Sequence, residues 1–285
     1  PKSLKHIEAL AFANSSIEYV EIPATIDSFE ECIFSGCDSL KEIKFEDGIK
    51  VFGIGMFSRC MCLEKVFLPK SLIIVPESAF EDCISLHNIN LPLGLKRIGD
   101  SAFSNCQALE TFSIPQTVDD IGIGAFSQCY SLKEIAIPNG VVGISDRTFY
   151  EAIDLEKVTL PENLAYIMKN AFYGCEHIHI KIPQSVVYIA PDAFAQCNDF
   201  SYDNLQIEVP VGKKNVLENL HAQLAGRVSE YSPNSHYVDS EDLARRRHLF
   251  IAIIENKRRR ELEDLSAELG VSFRIENEQE TYSNF

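Results

Sequence analysis

The sequence predicts a repeat solenoid, a β-rich superhelix of short strands joined by turns or 3-10 segments, with a helical cap at its C-terminal end. Two observations predict it: self-similarity with a period of 23 residues, and a phenylalanine at one fixed place in each copy. One copy reads LETFSIPQTVDDIGIGAFSQCYS from Leu109, and the copy before it reads LHNINLPLGLKRIGDSAFSNCQA from Leu86. Such periods are typical of solenoids, whose units bury their apolar faces only against neighbouring units.

Each copy opens on a lead residue, which is apolar in all copies but the last. The lead residues are Ile17, Leu40, Leu63, Leu86, Leu109, Leu132 and Leu155, followed by His177 after one step of 22 residues. A degenerate strand at 205–209 follows the last copy. We therefore predict a repeat domain over residues 1–210, with about eight to nine coils stacked about 4.8 Å apart.

The first segment of each copy, L-x-x-I-x-[IFL]-P, alternates apolar and polar residues, which predicts a half-buried strand. A proline ends this strand because it has no N–H for the next ladder bond. These prolines are Pro23, Pro69, Pro92, Pro115, Pro138, Pro161 and Pro183. After a turn, a second apolar pair, such as Val118 with Ile121, is expected to point inward.

An A-F pair comes next and predicts a stack of phenylalanine rings through the core. The rings belong to Phe12, Phe34, Phe57, Phe80, Phe103, Phe126, Phe149, Phe172 and Phe194. Because a buried aromatic side chain removes about 150–250 Å² of surface from water, we expect this stack to dominate stability.

Most of the nine cysteines form a column three residues after the phenylalanines, at Cys37, Cys60, Cys83, Cys106, Cys129, Cys175 and Cys197. Ser15 and Ala152 occupy the same column, so we interpret it as a small core filler. In-register Cβ atoms about 4.8 Å apart disfavour a disulfide ladder, whose Cβ atoms lie about 3.8 Å apart. The lack of a C-x-x-C pair disfavours zinc. Cys32 and Cys62 lie off the column and are predicted to be the exposed thiols.

The full pattern, L-x-x-I-x-[IL]-P-x-x-[LV]-x-x-I-x-x-x-A-F-x-x-C, resembles the BspA-type leucine-rich repeat of bacterial and protist surface proteins. The resemblance implies a right-handed leucine-rich-repeat solenoid at the cell surface, used for adhesion to host proteins or to other microbes. It carries over no catalytic residue. Departures from the pattern are Glu46 at a proline position, Met56 and Thr148 at the alanine position, and Ala152 at the cysteine position. We expect local irregularity around 47–48 and 150–154.

The outward positions of the first strands are the candidate binding surface, because repeat proteins display regular rows of side chains there. The candidate protein-binding residues are Tyr19, Glu42, Lys44, Lys65, Phe67, Asn88, Asn90, Glu134, Lys157 and His179. Phe67 is an apolar residue at a position predicted to face solvent. It is either a single exposed apolar residue, which is normal in proteins, or a binding hot spot beside Lys44 and Lys65.

Composition excludes several classes of function. The formal net charge of -16 argues against nucleic acid as a partner, because phosphate binding needs clustered basic residues. We find no apolar run long enough for an integral membrane segment and no leader pattern. Motifs of hydrolases, nucleotide-binding loops, zinc proteases and calcium loops are missing, so the sequence predicts no enzyme, no cofactor and no metal. His177 and His179 alternate on one strand, but the pattern places no third ligand beside them.

Beyond the repeats we predict a capping helix within 211–231, carried by KKNVLENLHAQLAG, and a helical extension and tail over 232–285. A second helix is predicted at 241–269, where the arginine triplets 245–247 and 258–260 flank a patchy apolar stripe. A basic amphipathic helix is typical of a membrane-surface or partner-binding segment. The alternative is a helix folded onto the solenoid or paired with a second copy, so self-association through 241–269 is a further expectation.

Together these features predict a non-enzymatic recognition protein. The leading hypothesis is a cell-surface adhesin or receptor-like module, extracellular or surface-bound, that binds a host or microbial surface protein through the strand face of the solenoid. The alternative is a cytoplasmic, intracellular scaffold that recruits partners or dimerises through its C-terminal helix.

Overall fold

The structure is a computed structural model that describes residues 4–197, 206–211 and 228–231. The chain divides into two compact units, Pro1–Tyr237 and Val238–Phe285, and every described residue lies in the first. This unit is a solenoid of parallel strands with about nine turns, as the repeat predicts. The domain boundaries predicted at 210/211 and 231/232 stay predictions.

The lead segments form the first stack of strands, as their alternation predicts. One parallel sheet contains β2 (Tyr19–Ile22), β4 (Glu42–Phe45), β5 (Lys65–Phe67) and β7 (Asn88–Ile89). A second contains β10 (Glu134–Ala136), β12 (Lys157–Thr159), β14 (His179–Lys181), β16 (Gln206–Pro210) and β17 (Val228–Tyr231). Equivalent residues pair, so that Ile43 lies opposite Val66, and both side chains are buried.

The second apolar pair of each copy forms a stack of strands too, which the repeat pattern did not predict. These two-residue strands make three parallel sheets: β1 (His6–Ile7) with β3 (Ser28–Phe29); β6 (Ile74–Val75), β8 (Arg97–Ile98) and β9 (Asp120–Ile121); and β11 (Gly143–Ile144), β13 (Tyr166–Ile167) and β15 (Tyr188–Ile189). Each coil therefore has two strand sides with the apolar side chains between them.

The phenylalanine segment closes each coil through turns and has its own hydrogen bonds to the next coil. The N–H groups of Ser78, Phe80 and Asp82 donate to carbonyl oxygens of the following coil at 2.8–2.9 Å. Residues two before and two after the phenylalanine have positive φ, as at Ser78 (51°) and Asp82 (60°), and glycine takes these places in some coils, as at Gly124 and Gly174. Every second N–H group of this segment therefore bonds to the next coil, whereas those of Ala79 and Glu81 bond within their own coil.

The predicted phenylalanine stack is confirmed. Phe80 and Phe103 have ring centroids 5.4 Å apart with planes at 10°, and the other steps of the ladder are similar. Eight of the nine rings are fully buried, whereas Phe12, at the first coil described, is 39% exposed. The rings thus run as one column through the core.

The cysteine column has a second role that the sequence interpretation missed. Its members are buried and free, and the Sγ of Cys83 donates to the carbonyl oxygen of Phe57, one coil back, at 3.2 Å. The same bond recurs for Cys37, Cys60, Cys106, Cys129, Cys175 and Cys197. The column fills the core, and it also satisfies the carbonyl groups of the phenylalanine ladder. Off the column, Cys62 is exposed as predicted, and Cys32 is half-buried.

Two local expectations need correction. The lead segment from Leu109 to Pro115 forms only an isolated bridge, Thr111 to Glu134, and so the first stack is split between β7 and β10. The split coincides with Phe112, whose ring contacts Phe103 and Phe126. The irregularity predicted around 150–154 is not found in the inter-coil bonds, since Glu151 N–H donates to the Tyr173 carbonyl at 2.7 Å like its equivalents.

The C-terminal predictions are tested only in part. The degenerate strand is confirmed as β16, and the end of the 211–231 region forms strand β17 instead of helix. The capping helix at 213–226 and the helix at 241–269 lie outside the described residues. Across the ranges described, no helix has the length and apolarity to cross a membrane.

Candidate protein-binding surface

The first sheet brings six of the candidate residues together. Tyr19, Glu42, Lys65 and Asn88 occupy one row across β2, β4, β5 and β7, because each pairs with the next in register. Lys44 and Phe67 occupy the parallel row, next to Glu21 of β2. We call these seven residues the N-terminal strand patch.

The patch faces solvent, as the strand alternation predicts. Tyr19 is 51% exposed and Phe67 is 49% exposed, whereas Ile43 and Val66 on the opposite face are buried. Two large apolar side chains are thus displayed on one face, although burial would remove both from water at a gain of about 25 cal/mol per Å². This is the residue chemistry of a docking surface.

Charged groups surround the two exposed rings. Lys44 Nζ lies 3.0 Å from Glu21 Oε1, and this bond raises the pKa of Lys44 above its usual value. Lys65 and Glu42 are half-buried neighbours in the adjoining row. Because exposed ion pairs contribute little to stability, about 0–1 kcal/mol, the fold does not require this arrangement. Its direct effect is to fix charges of both signs beside Phe67.

The other candidates do not join this patch. Glu134, Lys157 and His179 pair in one register row on β10, β12 and β14, and all three are exposed. The split at Thr111 separates this C-terminal row from the N-terminal strand patch. Asn90 is exposed but lies beyond the end of β7. The candidates of the strand face consequently lie on two sheets of the first stack, with Thr111 between these sheets and bridged to Glu134.

Another surface feature was missed by the sequence interpretation. Tyr150 and Tyr173 follow the ladder phenylalanines of their coils, and their rings stack with centroids 4.7 Å apart and planes at 8°. Tyr130, after Cys129, and the exposed Ile153, after Ala152, occupy the next column in neighbouring coils. We call these four residues the turn-side tyrosine patch. Aligning the copies would have revealed the two tyrosines, because four other copies have serine at the position of Tyr150. These serines are Ser35, Ser58, Ser104 and Ser127.

No metal or catalytic centre emerges from the described side chains. Among them, no three or more histidine, cysteine or carboxylate groups are arranged to hold a metal ion. Hydrogen bonding with Cys60 lowers the pKa of Cys37 to about 6, whereas burial raises the pKa of the column thiols from Cys83 to Cys197, as at Cys129, where it reaches about 12. Such thiols stay protonated at neutral pH and are poor nucleophiles.

Comparison with known families agrees with the repeat geometry. Residues 5–133 and 119–223 match the family described as BspA type leucine rich repeat region, and this span is more than half of the chain. The chain belongs to the BspA-type leucine-rich repeat family. Among curated proteins no significant match is found.

Solved structures of leucine-rich repeat proteins are similar to this chain. The leucine-rich repeat protein of T. pallidum, TpLRR, is 29% identical with a TM-score of 0.53, over 57% of this chain and 78% of that one. A leucine-rich repeat protein from Bacteroides ovatus is 23% identical with a TM-score of 0.56, over 82% and 70%. One from Eubacterium ventriosum is 21% identical with a TM-score of 0.51, over 67% and 62%. These likenesses support the solenoid fold.

Proposed function

We propose that this BspA-type repeat protein is a non-enzymatic recognition module, a cell-surface adhesin that binds a protein of a host or of another microbe through its N-terminal strand patch. The observation that carries the proposal is the exposure of Tyr19 and Phe67 on one sheet face, with Lys44, Lys65, Glu21 and Glu42 around them. The family membership supports a protein-interaction or surface role.

The chemistry of the patch fits a protein ligand. Interface cores are enriched in aromatic residues and surrounded by a polar rim, and a few aromatic anchors provide most of the binding energy. Phe67 is such an anchor candidate, since its partner across the pair is Lys44 and its neighbour in the strand is Lys65. The alternating charges of the rim would orient a partner surface of complementary pattern.

The test is capture of purified extracellular-matrix and serum proteins, each immobilised separately, by the full chain. We expect one of them to bind, and we expect Phe67→Ser to weaken that binding by at least about tenfold, the effect of removing a hot-spot residue. Leu93→Ser is the matched control, because Leu93 is 84% exposed in a turn outside the strands.

Equal losses in Phe67→Ser and Leu93→Ser would contradict the strand-patch proposal, since they would indicate a general apolar effect. Full binding by the Phe67→Ser variant would show that the partner contacts another surface of the protein. Failure of all surface and serum proteins to bind would contradict the adhesin role.

A further inference from the structure

The turn-side tyrosine patch is not explained by the packing of the solenoid. Its column holds serine in four other coils, and those coils have the same phenylalanine stacking and inter-coil bonds as the coils of Tyr150 and Tyr173. A small polar side chain therefore meets every structural demand of the position. The two large rings are an addition that the fold does not require.

Neighbouring residues extend these rings into one surface. Asp154 N–H donates to the Tyr130 carbonyl oxygen at 3.1 Å. This hydrogen bond keeps Tyr130 and Ile153 in equivalent positions of adjacent coils. Ile153 is 37% exposed, and the three tyrosines are half-buried. The rings of Tyr150 and Tyr173 stack on each other, and the same column holds the small residues Ser127 in the coil before them and Ala195 in the coil after them, so the outer face of each ring lies next to a position with a small side chain.

A carboxylate stands among the rings. Glu151 has a φ of 55°, the left-handed region, where its equivalent in the next coil is Gly174. Its Oε2 accepts a hydrogen bond from Gln128 Nε2 at 3.0 Å. Burial, and then the charge of Glu151, raise the pKa of both Tyr130 and Tyr150. The carboxylate thus lies close to two phenols that remain neutral.

The surroundings add further negative charge. Asp154 follows the exposed Ile153, and Glu176 continues the column of Tyr130 and Ile153 into the next coil. Arg147 is a basic residue on the same coil as Glu151, so the acids outnumber it. Aromatic rings combined with carboxylates attract cations through the ring quadrupole and through charge-assisted hydrogen bonds.

We propose that the turn-side tyrosine patch is a second docking surface, independent of the N-terminal strand patch, and that it binds an arginine-bearing segment of a partner protein. A guanidinium group packs against tyrosine and makes two parallel hydrogen bonds to a carboxylate, here that of Glu151. Asp154 and Glu176 attract further basic residues of the same segment.

The test is fluorescence anisotropy of a labelled nona-arginine peptide titrated with the full chain at about physiological salt, where exposed charges farther apart than about 8 Å are screened. The variant Tyr150→Ser/Tyr173→Ser keeps the net charge and adopts the residue that four other coils use, so its fold should persist; circular dichroism checks this. We expect its Kd to rise at least about tenfold. The control Tyr19→Ser, on the strand patch, should change Kd less than about twofold.

Charge specificity is tested by a second matched pair. Glu151→Gln and Glu81→Gln each remove one charge, and Glu81 holds the Tyr150 column in an earlier coil. We expect about a fivefold weakening for Glu151→Gln and less than about twofold for Glu81→Gln. A nona-lysine peptide should bind several-fold more weakly than nona-arginine.

Three outcomes overturn the proposal. One is unchanged binding by the double tyrosine variant, and another is equal loss from the two glutamate variants, which would indicate attraction by the overall negative charge. The third is no measurable binding by the unsubstituted chain. None of these outcomes bears on the adhesin proposal, which rests on Phe67 and Tyr19.

Discussion

Cys106 Sγ donates a hydrogen bond to the carbonyl oxygen of Phe80, one coil earlier, at 3.2 Å. The bond ties the cysteine column to the phenylalanine ladder, because the carbonyl it satisfies belongs to a residue whose ring lies in the stack. It links coils in addition to the strand ladders, and both residues are fully buried. This bond makes the cysteine column testable by substitution.

Cys106→Ala should lower the free energy of unfolding by about 1–3 kcal/mol, because it removes the donor to the Phe80 carbonyl and leaves a small void. The change is measured by urea denaturation followed by circular dichroism. Cys106→Ser should lose less, since the hydroxyl can still donate. Ala152 occupies the cysteine column naturally and allows the reverse experiment, in which Ala152→Cys should be neutral or stabilising. An alanine variant as stable as the parent chain would contradict a role for the bond.

The column thiols from Cys83 to Cys197, whose pKa is raised by burial, should make stability decline at alkaline pH. Burial raises the pKa of Cys129 from 9.0 to about 12, so the folded state keeps this proton while the unfolded chain loses it. The contribution is complete below pH 9 and is lost as the pH rises from 9 to about 12. Cys129→Ala should therefore show a shallower decline in unfolding free energy between pH 9 and 11 than the parent chain. Equal slopes would contradict this linkage.

Native thiol labelling should separate the exposed cysteine from the column. In the folded chain, a maleimide should modify Cys62 first, since this side chain is exposed, and Cys32 more slowly, since it is half-buried. The seven column cysteines should react only after denaturation. Mass spectrometry of peptides gives the order of labelling, and Cys62→Ser should remove the fast phase. Early modification of Cys106 in folded protein would be inconsistent with its burial.

The phenylalanine ladder should be most sensitive in its middle. Phe103→Ala should destabilise the chain by about 3–5 kcal/mol, because the ring is fully buried between Phe80 and Phe126. Phe12→Ala should cost clearly less, since Phe12 is 39% exposed and stacks on Phe34 at 5.3 Å. Urea midpoints of the two variants provide the comparison. A loss for Phe12→Ala as large as that for Phe103→Ala would be evidence against a cost set by burial.

Gly143 should tolerate no side chain while Tyr166 is present. The Tyr166 ring lies across Gly143 of the paired strand, and a Cβ there would overlap the ring. Gly143→Ala should destabilise by about 1–3 kcal/mol. Gly94→Ala is the control, because nothing lies within 4 Å of a Cβ built there. Adding Tyr166→Ser to Gly143→Ala should restore part of the loss; no recovery would exclude the ring as its cause.

The sequence by itself determined the coil. The 23-residue period, the proline after each lead segment and the phenylalanine column predicted the solenoid, its first strands and the stack of rings. These features are readable because every copy repeats one local pattern, and because each unit gains burial only from its neighbours. The exposure of Phe67 also followed from the pattern, since side chains alternate between the two faces of a strand.

Only the tertiary structure decided how the copies differ. The split at Thr111, the thiol bonds to the carbonyl groups of the ladder and the stacking of Tyr150 on Tyr173 all arise between coils. The position of a residue in the repeat predicts which face its side chain occupies. Its contacts in adjacent coils depend in addition on the register of the backbones and on the sizes of the neighbouring rings. For that reason the repeat predicted which positions face outward, whereas only the packed coils place the candidate residues on separate sheets.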